Sequence, residues 1–144
     1  MKIGKNNIQL FILLFAVSSL LVHFPSDAFA NDGSLIDEIN SLEHDATRGN
    51  FNSLVQVDAN TYPLAYAGGA GGTGFISTFT ISADGSTITE VATLEHDTVN
   101  GRENSLVKVD DDTYALAYSG VGNDGFISTF TINSAGVITA VKTQ

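Results

Sequence analysis

Hydrophobic and polar positions alternate over short segments of the chain after residue 31. These segments are rich in Val, Ile, Thr, Tyr and Phe, which favour pleated, half-buried strands. They are separated by turn residues such as Asp84-Gly85 and Asn123-Asp124-Gly125. We predict four strands, termed a to d, in each of two stretches of chain. Their ranges are 53–57, 62–67, 75–81 and 88–94 in the first stretch and 105–109, 114–119, 126–132 and 138–143 in the second.

The two stretches resemble each other because the sequence is internally repeated. Leu42-Glu43-His44-Asp45 recurs as Leu94-Glu95-His96-Asp97, and the block 74–81 returns intact as 125–132. Self-similarity at a fixed spacing of this size is typical of repeat architectures.

A third, partial copy precedes the two whole ones. Residues 36–42 match strand d of the first whole unit, 88–94, so we predict one extra strand there. The predicted organisation is a lone outer strand within 32–45, repeat 1 over 46–97 and repeat 2 over 98–144.

Strand b shows what the two faces of each predicted sheet carry. Alternate residues of a strand point to opposite faces, so one face is bulky and the other small. Neither face is charged, whereas a solvated sheet face would carry charged residues. We therefore expect the sheets to stack, bulky face against small face. The bulky set is Tyr62, Leu64 and Tyr66, and the small set is Pro63, Ala65 and Ala67.

The order of these landmarks resembles a WD40-type β-propeller blade, with His44 and His96 closing strand d before an apolar strand a. The Trp-Asp pair of that family is absent, since Phe79-Thr80 and Phe130-Thr131 stand in its place. The chain is more similar to the β-propeller-type repeat arrays of exported, uncharacterised microbial proteins. That resemblance implies an all-β fold of antiparallel four-stranded blades, here two blades plus one extra N-terminal strand. It implies no reaction.

Two blades are too few to close a propeller, which typically has about 4–8. Three explanations stay open. The chain is a fragment of a larger repeat protein with no function alone, which its end directly after a strand d favours. Alternatively it is a homo-oligomer, as when three copies form a six-bladed ring; some small microbial lectins are organised in this way. Or the two sheets form a small β-sandwich.

The N-terminus has the three-part layout of a secretory signal peptide over residues 1–30. Lys2 and Lys5 form a basic start, residues 8–22 are mostly apolar, and Ala28-Phe29-Ala30 gives small residues where a signal peptidase cuts. We predict cleavage after Ala30, a single tandem-repeat domain over 31–144, and a secreted, periplasmic or cell-surface location.

The composition narrows the classes of partner. The chain has 16 acidic and 6 basic residues, a net charge of −10 and no cysteine. Two of the basic residues, Lys2 and Lys5, leave with the signal peptide. Such a negative field repels nucleic acid and anionic lipid headgroups. We expect no nucleic-acid partner, no membrane contact after cleavage and no disulfide.

The repeated pairs His44-Asp45 and His96-Asp97 allow a metal, an acid–base or a structural interpretation. A catalytic or zinc site needs further converging groups, and no third ligand or nucleophile lies nearby in sequence. We therefore predict that each His makes a buried hydrogen bond to the next loop. We assign no catalytic residue, no metal site and no cofactor.

The two repeats differ mainly in the loops that join strand d to strand a and strand b to strand c. In a propeller these loops share one rim, and loops on a rigid scaffold often carry function. We predict a non-enzymatic binding or scaffold module with a glycan or another cell-surface ligand; the alternative is an oligomeric carbohydrate-binding lectin. The candidate binding residues are Arg48, Asn50, Phe51, Asn100, Arg102 and Glu103.

Overall fold

The computed structural model describes residues 37–143, so the predicted signal peptide lies outside the described residues. These residues form eight strands arranged as two four-stranded antiparallel sheets. The predicted all-β fold of two four-stranded repeats is therefore confirmed. The described part contains one short 3₁₀ turn, Val121–Asn123, and no α-helix. No helix within residues 37–143 is long and apolar enough to cross a membrane.

Each sheet is a simple meander in which consecutive strands are neighbours. The first sheet has the order β1-β2-β3-β4, and the second has the order β5-β6-β7-β8. The strands of the first sheet are β1 Asn50–Leu54, β2 Thr61–Gly68, β3 Thr73–Ile81 and β4 Ile88–Asp97. Those of the second are β5 Arg102–Lys108, β6 Thr113–Ser119, β7 Gly125–Ile132 and β8 Ile138–Thr143.

The first strand of each sheet begins three residues earlier than predicted. A β-bulge interrupts the pairing of β1 with β2 between Asn50 and Ser53, and the same bulge occurs in β5 between Arg102 and Ser105. A bulge inserts extra residues into one strand and breaks the alternation on which the prediction depended. As a result the loops between strands d and a are shorter than expected.

The sheets pack bulky face against small face, as the alternation predicts. The small face of the first sheet contributes Ala65 and Ile76, both fully buried. They join the bulky residues of the second sheet in a single apolar core. The buried bulky residues are Leu106, Tyr114, Leu116, Tyr118, Phe130 and Ile132. The sheets present opposite faces at the contact, which is how successive repeats stack.

Hydrogen bonds between the sheets explain why the small face of the first sheet carries hydroxyl groups. Thr78 Oγ1 donates to the carbonyl oxygen of Gly136 at 2.6 Å, and Ser53 Oγ accepts from the backbone N–H of Leu106 at 2.9 Å. Thr78 is fully buried, so a side chain without a partner there would lose its hydration. Short hydroxyl side chains therefore satisfy backbone groups of the neighbouring sheet without holding the sheets apart.

The predicted lone strand over 36–42 does not form in the part that is described. Residues 37–43 have no strand assignment and are exposed. A strand exists through its ladder of hydrogen bonds with a neighbour. In a propeller, this segment would pair with strand c of a preceding blade, and no such strand lies beside it within residues 37–143. The predicted extra strand is therefore not formed within residues 37–43.

Candidate functional site

The loops before β1 and β5 meet the loops after β2 and β6 at one end of the sheets, here called the loop edge (residues 45–51, 69–72, 97–103 and 120–124). Asp45 organises the first half of this edge. Its carboxylate accepts the backbone N–H groups of Thr47 at 2.8 Å and of Arg48 and Gly69 at 2.9 Å. These bonds hold the pKa of Asp45 below its ordinary value. Asp45 thus ties the loop before β1 to the loop after β2.

Asp97 repeats part of this arrangement in the second half. It accepts the backbone N–H groups of Val99 at 2.8 Å and Asn100 at 2.9 Å. The link to the loop after β6 comes from Asn100, whose side-chain amide donates to the carbonyl oxygen of Gly120 at 2.9 Å. Asn100, predicted to be a binding residue, is therefore engaged in holding the loop edge together.

The two halves of the loop edge touch at glycine residues. The backbone N–H of Gly101 donates to the carbonyl oxygen of Gly72 at 3.0 Å. A Cβ atom on Gly101 would lie 2.1 Å from the Cα of Gly74, so a side chain there could not be accommodated. The loop edge is therefore continuous across both repeats.

Both histidines pack edge-on against a tyrosine, and His96 does not make the predicted hydrogen bond. His44 lies edge-on to Tyr66 with ring centroids 4.7 Å apart, and His96 lies edge-on to Tyr118 at 4.6 Å. Nε2 of His44 and both ring nitrogens of His96 are buried without a hydrogen-bond partner. The adjacent aspartates make the bonds to the loops instead, because their carboxylates reach the backbone N–H groups at the turn.

The environment of His96 determines its charge state. Burial lowers its pKa to about 4, and the nearby charge of Asp97 offsets this only in part. His96 is therefore neutral at physiological pH.

The bulges in β1 and β5 place two of the candidate binding residues in the same unusual backbone geometry. Phe51 and Glu103, which occupy the same position of the two repeats, both have φ of 55°. This left-handed conformation is uncommon for residues other than glycine. Both side chains are exposed, Phe51 to 46%. The scaffold therefore displays at this position an aromatic ring in one repeat and a carboxylate in the other.

The remaining candidate binding residues include both exposed and half-buried side chains. Asn50 and Arg102 are exposed at the first positions of β1 and β5. Arg48 is half-buried, and its guanidinium lies where a Cβ atom on Gly72 would meet it at 2.8 Å. Asn50, Phe51, Arg102 and Glu103 are thus the accessible members of the predicted set.

An open cleft that the sequence pattern did not predict lies beside Glu103. It has a volume of about 500 Å³, and its walls come from the second sheet and the 3₁₀ turn. The walls include Glu103, Tyr118, Ser119, Asn123 and Phe126. The signal that could have indicated it is the b–c loop, which differs in length and composition between the repeats.

Comparisons of the chain with protein-family models, with curated proteins and with solved structures find no match. Within residues 37–143, no group of three or more His, Asp or Glu side chains is placed to hold a metal ion. The site is a polar and aromatic loop edge carried by the two four-stranded sheets.

Proposed function

We propose that this chain is an exported, non-enzymatic β-propeller-type repeat protein that binds a ligand through its loop edge and acts as a binding or scaffold module. The observation that carries the proposal is the shared geometry of Phe51 and Glu103. The backbone is the same in the two repeats, yet the displayed chemistry differs. A rigid scaffold with different side chains on equivalent positions is how many binding surfaces are built.

The roles of the two His-Asp pairs support a binding rather than a catalytic function. The carboxylates of Asp45 and Asp97 accept hydrogen bonds from backbone N–H groups of the loops. His96 is neutral, buried and without a hydrogen-bond partner. Activation of a nucleophile needs a base within hydrogen-bond reach of the group it deprotonates.

Charge and surface chemistry favour an uncharged ligand such as a glycan. A net charge of −10 disfavours nucleic acid and anionic lipid. The loop edge offers an exposed aromatic ring at Phe51, with polar groups at Asn50, Arg102 and Glu103. Aromatic rings give contact area and the polar groups give orientation, a combination typical of small-ligand sites. This composition also favours the second candidate, an oligomeric carbohydrate-binding lectin.

The test is binding of the purified protein to a glycan array and to intact cells, with variants matched by chemistry and position. Phe51→Ala and Glu103→Ala change the loop edge. Val109→Ala and Asp111→Ala change exposed apolar and acidic residues at the opposite end of the second sheet. Circular dichroism checks that all four variants fold.

We expect the two loop-edge variants to lose binding at least tenfold and the two control variants to retain it, since about 1.4 kcal/mol corresponds to tenfold in affinity. Binding that the loop-edge variants retain, or a wild-type protein that binds neither glycans nor cells, would contradict the proposal. Glycan-array binding of the wild type separates the lectin from a module with a protein ligand.

A further inference from the structure

A second opening lies on the loop edge, between the loop before β5 and the loop after β6. Its volume of about 370 Å³ falls within the range of about 300–1,000 Å³ that is usual for small-ligand sites. Tyr118 and Phe126 line both this opening and the cleft beside Glu103, so the two adjoin. We call the second opening the Asp97 cleft, and it is lined by His96, Asp97, Thr98, Val99, Tyr118, Val121 and Phe126.

The aspartates at equivalent positions of the two repeats are bonded differently. Oδ1 of Asp45 and Oδ1 of Asp97 each accept two backbone N–H groups of the turn that follows. Oδ2 of Asp45 also accepts the backbone N–H of Gly69 at 2.9 Å. Within the described residues, Oδ2 of Asp97 accepts no backbone N–H group. A carboxylate offers about four acceptor sites, so Asp97 keeps the capacity to bind a donor from a ligand.

The loops that follow β2 and β6 explain this difference. The loop after β6 is the shorter one, and Val121, the equivalent of Gly69, begins its 3₁₀ turn. This loop is closed by its own hydrogen bonds, with the N–H of Gly120 donating to the carbonyl oxygen of Asp124 at 2.9 Å. The shorter loop thus leaves Asp97 in the wall of a cleft, whereas the longer loop bonds to the equivalent aspartate.

Other residues of the Asp97 cleft also differ from their equivalents in the first repeat. Val99 is 57% exposed and Val121 is 53% exposed, so both offer aliphatic groups to the opening. Thr98 is exposed and adds a hydroxyl group. The second repeat therefore combines apolar walls with a carboxylate and a hydroxyl. At the positions of Thr98, Val99 and Val121, the first repeat has Ala46, Thr47 and Gly69.

Aromatic rings form the remaining wall of the cleft. Phe126 stacks on Tyr118 with ring centroids 5.5 Å apart. Burial raises the pKa of Tyr118, and the charge of the nearby Asp97 raises it further, which places the carboxylate beside this wall. Phe126 is half-buried, and so is its equivalent Phe75, which has β4 alongside it. The partial exposure of this ring therefore does not depend on a neighbouring strand.

The two polar groups of the cleft select the class of ligand. A carboxylate only accepts hydrogen bonds, whereas the Thr98 hydroxyl both donates and accepts them. A ligand hydroxyl can donate to Asp97 and accept from Thr98, but an ammonium group can only donate. Hydrogen bonds to a carboxylate are stronger than those between neutral groups. A sugar ring offers such hydroxyls along its edge and an apolar C–H face for the walls.

We propose that the Asp97 cleft holds one sugar unit of a glycan. A ring hydroxyl donates to Oδ2 of Asp97, and the C–H face of the ring packs on the side chains of Val99 and Val121. This inference rests on the proposed function, because it names the ligand class and the anchoring residue of the same loop edge. It adds that the second repeat supplies the anchor and that the first does not.

The first test is an NMR titration of protein expressed from the complete sequence and purified after export. The probes are the methyl glycosides of glucose, galactose, mannose, fucose and N-acetylglucosamine, with isobutylamine as an apolar ammonium. We expect at least one glycoside to shift the backbone amide signals of Val99, Asn100 and Val121 and to leave those of Thr47 and Gly69 in place. No shift with any glycoside, shifts confined to the first repeat, or a response to isobutylamine alone overturns the proposal.

The role of the carboxylate is tested by Asp97→Asn, which keeps one oxygen for the turn and replaces the other with a donor. We expect the glycoside to bind at least about tenfold more weakly, since a hydrogen bond to a charged group is lost. The matched control is Asp111→Asn, which removes the same charge at an exposed residue at the opposite end of the sheet and is expected to bind as the wild type does. Binding that Asp97→Asn retains contradicts the proposal.

A second pair of variants keeps the test valid if Asp97→Asn does not fold. Val99→Thr gives the second repeat the residue of the first, and Thr47→Val makes the reverse change in the first repeat. Val99→Thr is expected to weaken binding about three- to fourfold, the loss that corresponds to one buried methyl group. Thr47→Val is expected to have no effect. Equal effects of the two variants, or no effect of Val99→Thr, would contradict the assignment to the second repeat.

The same variants separate this inference from the proposed function. Glycan-array binding that Phe51→Ala weakens and Asp97→Asn does not would leave the proposed function standing and overturn the sugar site. Binding of the wild type to cells but to no glycan would have the same meaning. A wild-type protein that binds neither would overturn both.

Discussion

The two sheets of this protein have nearly the same sequence, yet some equivalent residues differ sharply in burial. Ile76 in the first sheet is fully buried and Ile127 in the second is 60% exposed, although both stand at the same position of a block of eight identical residues. Leu54 and Leu106 show the reverse order. The difference shows that burial of a residue here is set by the neighbouring sheet and not by the residue or its strand.

The energetic consequence is that identical side chains contribute differently to folding. Burying a Leu or Ile side chain is worth about 1.5–3 kcal/mol relative to leaving it exposed. Ile76 and Leu106 gain this contribution because they lie at the contact between the sheets, whereas the equivalent residues Ile127 and Leu54 are 60% and 58% exposed. The repeat thus supplies matched pairs of residues in which the amino acid is constant and the surroundings change.

The largest expected effect on stability comes from truncating the equivalent isoleucines of the two sheets, Ile76 and Ile127. Ile76→Ala is expected to lower the free energy of unfolding by about 2–5 kcal/mol, since it leaves a cavity in the core. Ile127→Ala is expected to change it by less than about 0.5 kcal/mol, as is usual for exposed positions. Urea unfolding of both variants, at a protein concentration where self-association is absent, measures the difference. Equal destabilisation would mean that both faces are buried in the unit that unfolds.

A second effect concerns His96, which lies between the sheets. Burial lowers its pKa to about 4 from an ordinary value of 6.5. The unfolded chain therefore takes up a proton between pH 6.5 and 4 that the folded chain does not, and stability falls as the pH decreases through this window. The loss integrates to about 3 kcal/mol, since one pKa unit corresponds to about 1.4 kcal/mol.

Unfolding free energies measured at pH 7 and pH 4.5 test this expectation. In the His96→Gln variant, the decrease in unfolding free energy between these two pH values should be much smaller. The carboxylates Asp45, Asp58 and Asp84 have lowered pKa values, so their contribution is lost only as the pH falls below their ordinary value of 3.8. The two windows are therefore distinguishable. An unchanged pH dependence in His96→Gln would show that another group is responsible.

The smallest expected difference in stability is between a hydrogen-bonded residue and an exposed residue of the loop edge, Asn100 and Arg102. Asn100→Ala removes the hydrogen bond to Gly120 and is expected to cost about 1 kcal/mol of stability. Arg102→Ala changes an exposed residue two positions further on and is expected to cost less than about 0.5 kcal/mol. Thermal unfolding of the two variants compares them directly. A larger loss for Arg102→Ala would place that side chain in the structural part of the edge.

Much of the fold could be predicted because its signals are local. The alternation in Tyr62, Leu64 and Tyr66 defined both a strand and its bulky face, and the repeat transferred that assignment to the second sheet. The candidate binding residues were harder to predict. Phe51 and Glu103 were assigned to loops because a bulge leaves no mark in the period of hydrophobic residues. Hydrogen bonding by His96 was predicted wrongly, since the adjacent Asp97 accepts the backbone N–H groups of the loop instead.

By itself the sequence determined the all-β class, the two four-stranded units and the chemistry of each sheet face, because a strand and its faces follow from a period of two residues. The tertiary structure decided which faces are buried, whether residues 37–43 become a strand, and which side chains hold the loop edge together. Each of these depends on what lies next to a strand in space. A repeated sequence cannot distinguish its copies in this respect, so identical residues such as Ile76 and Ile127 differ only once the sheets have packed.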